Sequence, residues 1–212
     1  LTITFSSFDW LMSLDAHWFS TIFGVYIFSG AFLAILSFLV LIMAYQRKNN
    51  VLSDIITVEH YHDLGKFIFA FIIFWAYMAF SQYFLIWYSN LPEENYWFLY
   101  RWDNSWEAVS MIIIFGHFVI PFVILLTRAS KRNIRFLVFM AGWILVMRWI
   151  DLYWLVMPTH YRDGLHFSWL DITTFIGIGG LFLWFFWRRY TTNALVPVND
   201  PGLTTSIKFI NN

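Results

Sequence analysis

The 212-residue chain contains no cysteine. Disulfides, cysteine-ligated iron–sulfur clusters and thioether-attached haem are therefore excluded within it. The redox compartment stays open. Charge is almost as scarce. Asp, Glu, Lys and Arg make up 12% of the residues, against about 25% in soluble domains. A fold this poor in charge cannot cover its surface in water, so lipid is the expected solvent. The formal net charge is zero, and no basic face offers itself to nucleic acid. There is no lipidation motif, internal repeat or low-complexity run. The chain opens Leu1-Thr2-Ile3-Thr4, without an initiating methionine or a signal-peptide n-region. Residues are expected to precede it.

What is present is apolar: 60% of residues are hydrophobic and 23% aromatic. Crossing ~30 Å of hydrocarbon takes about 20 helical residues. Five stretches are long enough, at Trp18–Tyr45, Leu64–Trp87, Ala108–Arg128, Arg135–Met157 and Ser168–Trp187. In lipid a single segment can satisfy its backbone only as a helix. The expected fold is an all-α integral membrane protein, a bundle of about five transmembrane helices spanning 18–190. Residues 1–17 form an outer pre-helix segment, and 191–212 an extended cytoplasmic tail.

Loop charge sets the orientation. One side holds Arg47, Lys48, Lys66, Arg128, Lys131, Arg132, Arg135, Arg188, Arg189 and Lys208; the other holds only Arg101 and Arg162. The positive-inside rule makes the first side cytoplasmic. The N-terminus is then outside and the C-terminus inside. The outer loop 88–107 is too polar to span and rich in Trp and Tyr. It reads as an interfacial helix or cap, or as an ordinary aromatic belt.

Few polar groups lie within the spans. His117 sits ten residues into the third, ~15 Å deep at 1.5 Å per residue. Arg148 and Asp151 fall in the outer half of the fourth, three apart and so on one face. Asp171 lies one turn into the fifth. Ionisable groups at such depths suggest a pathway or site. The plainer alternatives are a structural Arg148–Asp151 ion pair, a His117 that only bonds a neighbouring helix, and an Asp171 that stays wet at a helix N-terminus. The inner half offers little beyond Ser37, Tyr45 and Thr127. His60 and His62, in Glu59-His-Tyr-His-Asp63, form either a proton-gathering mouth or a solvated loop, and their spacing is weak evidence for metal. Haem b needs two axial histidines at similar depth. Only His117 is near the midplane, with His17, His160 and His166 towards the outer side, so no haem or metal is expected in this chain. Thr173, Gly177 and Gly180 share a face of the fifth span, a packing surface.

Three stretches carry a resemblance: Phe8-Asp-Trp-Leu-Met-Ser-Leu-Asp-Ala-His-Trp-Phe-Ser-Thr-Ile-Phe-Gly24, Arg148-Trp-Ile-Asp-Leu-Tyr-Trp154 and Pro197-Val-Asn-Asp-Pro201. Over essentially its whole length the chain resembles the polysulfide-reductase-type (NrfD-like) membrane subunits of bacterial alternative complex III, the second of the two most closely. Such subunits have about ten spans, so the chain resembles a C-terminal half. The resemblance implies a multi-pass subunit of a quinol:cytochrome c (or similar acceptor) oxidoreductase in the bacterial inner membrane. It would contribute to quinone binding or a proton path. Haem c and iron–sulfur clusters would reside in partner subunits, alongside a second NrfD-like subunit. His117, Arg148, Asp151 and Asp171 are the candidates for proton transfer or a quinone site. Asp15, His17, His60 and His62 are weaker ones. The rival readings are a purely structural anchor for redox subunits and an unrelated transporter or channel.

Overall fold

A computed structural model describes residues 1–52, 55–193, 195–196 and 199–210, without the side chain of Thr204. The described residues form helices and no strand. Helix α1 covers Thr2–Trp10. The membrane-length helices are α2 (Phe23–Lys48), α3 (Val58–Ser89), a composite third helix over Trp106–Leu125, α8 (Ile134–His160) and α9 (Trp169–Tyr190). Each of the five expected stretches forms a helix long and apolar enough to cross a membrane. Shorter helices are α4 (Pro92–Leu99), α7 (Arg128–Arg132) and α10 (Leu203–Lys208). The composite helix consists of α5 (Trp106–Ile113), a wide-turn segment Ile114–Val119, and α6 (Ile120–Leu125).

The chain divides into two units, Leu1–Leu165 and the part from His166 onward. The first holds α1–α8. Its interior has two apolar layers. One, rich in aromatics, includes Trp18, Phe23, Trp97, Trp106 and Leu155. The other is aliphatic, built from Leu33, Val40, Ile68, Leu137 and Ile144. Lipid gives no hydrophobic drive between helices, so close packing and internal polar contacts must hold them. The second unit is built on α9, which carries Gly177 and Gly180.

Local chemistry sets the helix ends. The α3 start is a capping box: the Thr57 N–H donates to His60 Nδ1 at 3.1 Å. It ends at Asn90, in the left-handed conformation (φ 49°). The α8 start is capped by Asn133, whose Oδ1 accepts from the Phe136 N–H.

Two open readings narrow and one expectation changes. The Glu59–Asp63 run is the first turn of α3 rather than a solvated loop, with Glu59 and His62 buried. Arg132 reaches across to Glu59 with bonds of 2.6 and 3.0 Å, a fork geometry that fixes this end of the helix. The 88–107 loop is a packed cap: Trp97, Phe98 and Arg101 are buried. The tail is not wholly extended, because α10 forms; Pro197 and Val198 of its motif lie outside the described residues.

Candidate functional site

A buried polar cluster adjoins the aromatic layer, to which Tyr26 and Trp75 belong. Arg148 and Asp151 share a face of α8, as their spacing predicts, and form an ion pair. Asp151 is fully buried. Its second carboxylate oxygen accepts the hydroxyl of Tyr26 from α2. Arg148 also donates to the carbonyl of Ile27 at 3.4 Å. Gly30, one turn along α2, makes room: a Cβ there would fall on the Arg148 guanidinium. Both charges thus have partners, the condition under which burial of an ion pair is tolerated.

His117 approaches from the third helix. It is fully buried, and neither ring nitrogen has a hydrogen-bond partner among the described residues. Its ring lies 4.0 Å from that of Trp75 on α3. Asp151 and Arg148 are within electrostatic reach of it. Trp75 in turn contacts Tyr26, with ring centroids 5.9 Å apart. Four helices therefore meet at one site: α2 through Tyr26, α3 through Trp75, the third through His117, and α8 through Arg148 and Asp151.

Among the other candidates of the first unit, none is bonded to this cluster. Asp15 accepts the Tyr96 hydroxyl at 2.6 Å. Burial and that carboxylate hold the Tyr96 pKa well above its ordinary value, so the hydroxyl remains a donor at neutral pH. His17 is exposed. His60 belongs to the α3 cap. His62 is buried; burial and the charges of Lys66, Arg128 and Arg132 lower its pKa, against Glu59. No three metal-ligating side chains gather among the described residues. Asp171 belongs to the second unit, where its Oδ2 accepts the Ser168 N–H at 2.8 Å. That completes a capping box at the start of α9.

Sequence reading missed Tyr26, Trp75 and Arg101. The first two are ordinary members of an aromatic-rich chain and carry no local signal. Arg101 sits in the aromatic loop and has 1% exposure. It donates to the carbonyls of Trp97 and Leu155, both at 2.7 Å, and of Trp154 at 3.3 Å. Its guanidinium lies 3.3 Å from the centroid of the Trp97 ring, a cation–π contact. Burial lowers its pKa to about 9, so it is still cationic at neutral pH. Lys131 is likewise buried, its Nζ 2.9 Å from the Leu125 carbonyl at the end of the third helix. Burial and the neighbouring Lys66 lower its pKa.

No protein-family model matches the chain, and no significant relative is found among curated proteins. Fold and site define a class: an α-helical protein with several apolar helices long enough to span a membrane and an ionic cluster buried among them.

Proposed function

We propose that this chain is a membrane subunit of a quinol-oxidising respiratory complex of the alternative complex III type, and that Asp151, Tyr26 and His117 form a proton-transfer station on its outer side. One observation carries the reading: a fully buried carboxylate shared between an arginine and a tyrosine hydroxyl, with an unpartnered histidine close by. Asp151 is bonded to Arg148 through one carboxylate oxygen and to Tyr26 through the other. A proton arriving at Asp151 weakens that pairing. His117 can accept at one ring nitrogen and donate from the other. Quinol oxidation yields quinone, two electrons and two protons, and the electrons pass to redox groups in other subunits. Every member of the cluster is buried, which favours proton transfer within the bundle over contact with a quinone ring.

The test is purification of the tagged chain with its native complex. Haem c and iron–sulfur subunits and quinol oxidation are expected to copurify. Asp151→Asn is expected to leave that composition intact and slow turnover by at least about a hundredfold, the scale of a lost acid–base group. Absence of quinol oxidation, or normal turnover in the assembled variant, overturns the reading. A second reading has its own support. Tyr26 bonds Asp151, and the Ile27 carbonyl accepts a long bond from Arg148, so the cluster also suits a static clamp joining α2 to α8 in a membrane anchor.

The proposed orientation follows the ten-to-two division of loop cations. Cysteines placed at Ser130 and Asn95 are expected to react with a membrane-impermeant reagent from opposite faces, Asn95 from outside. Reaction of both from one face would contradict the topology.

A further inference from the structure

His117 lies in a rare kind of turn. Residues Ile114–Val119 are wound as a π-helix, and the Ile120 N–H donates to the carbonyl of Phe115, five residues back. The next carbonyl in that ladder is Gly116. Its partner would be the N–H of residue 121, but Pro121 has none. The bond is supplied from outside: Trp143 Nε1 on α8 donates to the Gly116 oxygen at 2.8 Å. A Cβ on Gly116 would meet the flexible end of Met147, with Cε at 2.8 Å, and would make only ordinary contact with Trp143 at 3.7 Å.

A wide turn adds one residue to a helix, and one residue turns an α-helix by about 100°. The residues after Ile114–Val119 are therefore rotated relative to those before it, compared with an uninterrupted α-helix. Ile113 packs in the aromatic layer and Leu125 in the aliphatic one, while His117 between them faces Trp75. The charged groups within reach of His117 are Asp151 and Arg148 on α8, and Tyr26 on α2 is hydrogen-bonded to Asp151.

We propose that Pro121 and Trp143 are positioning residues for His117: by denying and then replacing one backbone hydrogen bond, they hold the wide turn that seats the imidazole against Trp75, which also contacts the Tyr26 bound to Asp151. The inference rests on the proton-station reading. It makes the third helix deliberately imperfect at this point, with α8 supplying both the ion pair and the donor that aligns its partner.

Three variants in the assembled complex test it. His117→Gln tests the reading itself. Pro121→Ala returns the missing N–H and lets the segment relax towards an α-helix. Trp143→Phe removes the Nε1 donor and keeps most of the ring. Both positioning variants are expected to slow quinol turnover at least about tenfold, within the roughly hundredfold that ångström-scale misplacement costs. Both should also shift the pH profile of turnover, and Pro121→Ala should leave the melting midpoint unchanged or raised. Slow His117→Gln with unchanged turnover and pH profile in the other two overturns the positioning roles and leaves the station standing. Normal turnover in His117→Gln removes His117 from the station, and this inference with it. Stability and turnover falling together in Pro121→Ala and Trp143→Phe, with an unshifted pH profile, reduces both residues to packing.

Discussion

Asp151→Asn is expected to destabilise the first unit by about 3–5 kcal/mol, because it leaves Arg148 charged and buried with no anion beside it. Asparagine keeps an acceptor for Tyr26, so the loss reports charge rather than shape. The Ile27 carbonyl, at 3.4 Å from Arg148, is too distant to compensate. The double variant Arg148→Gln with Asp151→Asn removes both charges and retains hydrogen-bonding groups. It is expected to recover most of the loss, because a neutral buried pair needs far less compensation than a lone cation. Unfolding of the purified protein in detergent measures both steps. Turnover then separates the two readings of the cluster. If the pair is a clamp, activity returns with stability. If Asp151 passes protons, stability returns and turnover does not. Gly30→Ala approaches the same pair from α2. Its methyl would displace the Arg148 guanidinium, so it should destabilise in the same direction while both ionisable groups remain. Full stability in Asp151→Asn would mean that Arg148 finds another anion.

The parts of this arrangement readable from sequence are those dictated by lipid and by helix period. Five spans follow from the length of hydrocarbon to be crossed, and their predicted edges fall within about six residues of the observed ones. The Arg148–Asp151 pairing follows from a three-residue separation on a single helix. The choice of Tyr26 as third partner does not follow, because it depends on how α2 is rotated against α8. The same holds for Trp75 against His117. The sequence leaves Glu59 and His60 open between a mouth and a loop, because polar residues at a span's edge look alike whether they cap a helix or follow one. The wide turn at His117 was invisible to periodicity: Pro121 marks a missing donor, but the replacement comes from Trp143, 22 positions along the chain. Arg101 was counted as a loop cation, and charge counting is blind to a loop that folds back as a cap.

Arg101→Ala is expected to cost about 3–5 kcal/mol, and the reason lies partly in Pro158. That proline sits inside α8 and offers no N–H to the Trp154 carbonyl four residues back. Arg101 Nε donates to that carbonyl, and its other nitrogens to Leu155 and Trp97. Hydrogen bonds from a charged donor contribute about 1.5–3 kcal/mol each, and the stack on Trp97 adds about 2 where water is excluded. Loss of the buried charge's desolvation cost returns part of this, which keeps the net effect below the sum. Arg101→Lys should recover little, since an ammonium cannot span three carbonyls in a plane. Loosening should begin in the cap: Ser110 Oγ, which donates to the Arg101 carbonyl at 2.6 Å and accepts from Trp154 Nε1 at 2.8 Å, joins the same network. Protease cleavage within 88–107 should therefore rise before the helices unfold. Pro158→Ala restores the N–H beneath Trp154, so one of the three carbonyls no longer needs the guanidinium. The penalty for Arg101→Ala measured in a Pro158→Ala background should then fall by about 1 kcal/mol, the net value of one hydrogen bond. Strict additivity of the two changes would show that Arg101 serves the cap through Trp97 and Leu155 alone, with no part in mending the proline break.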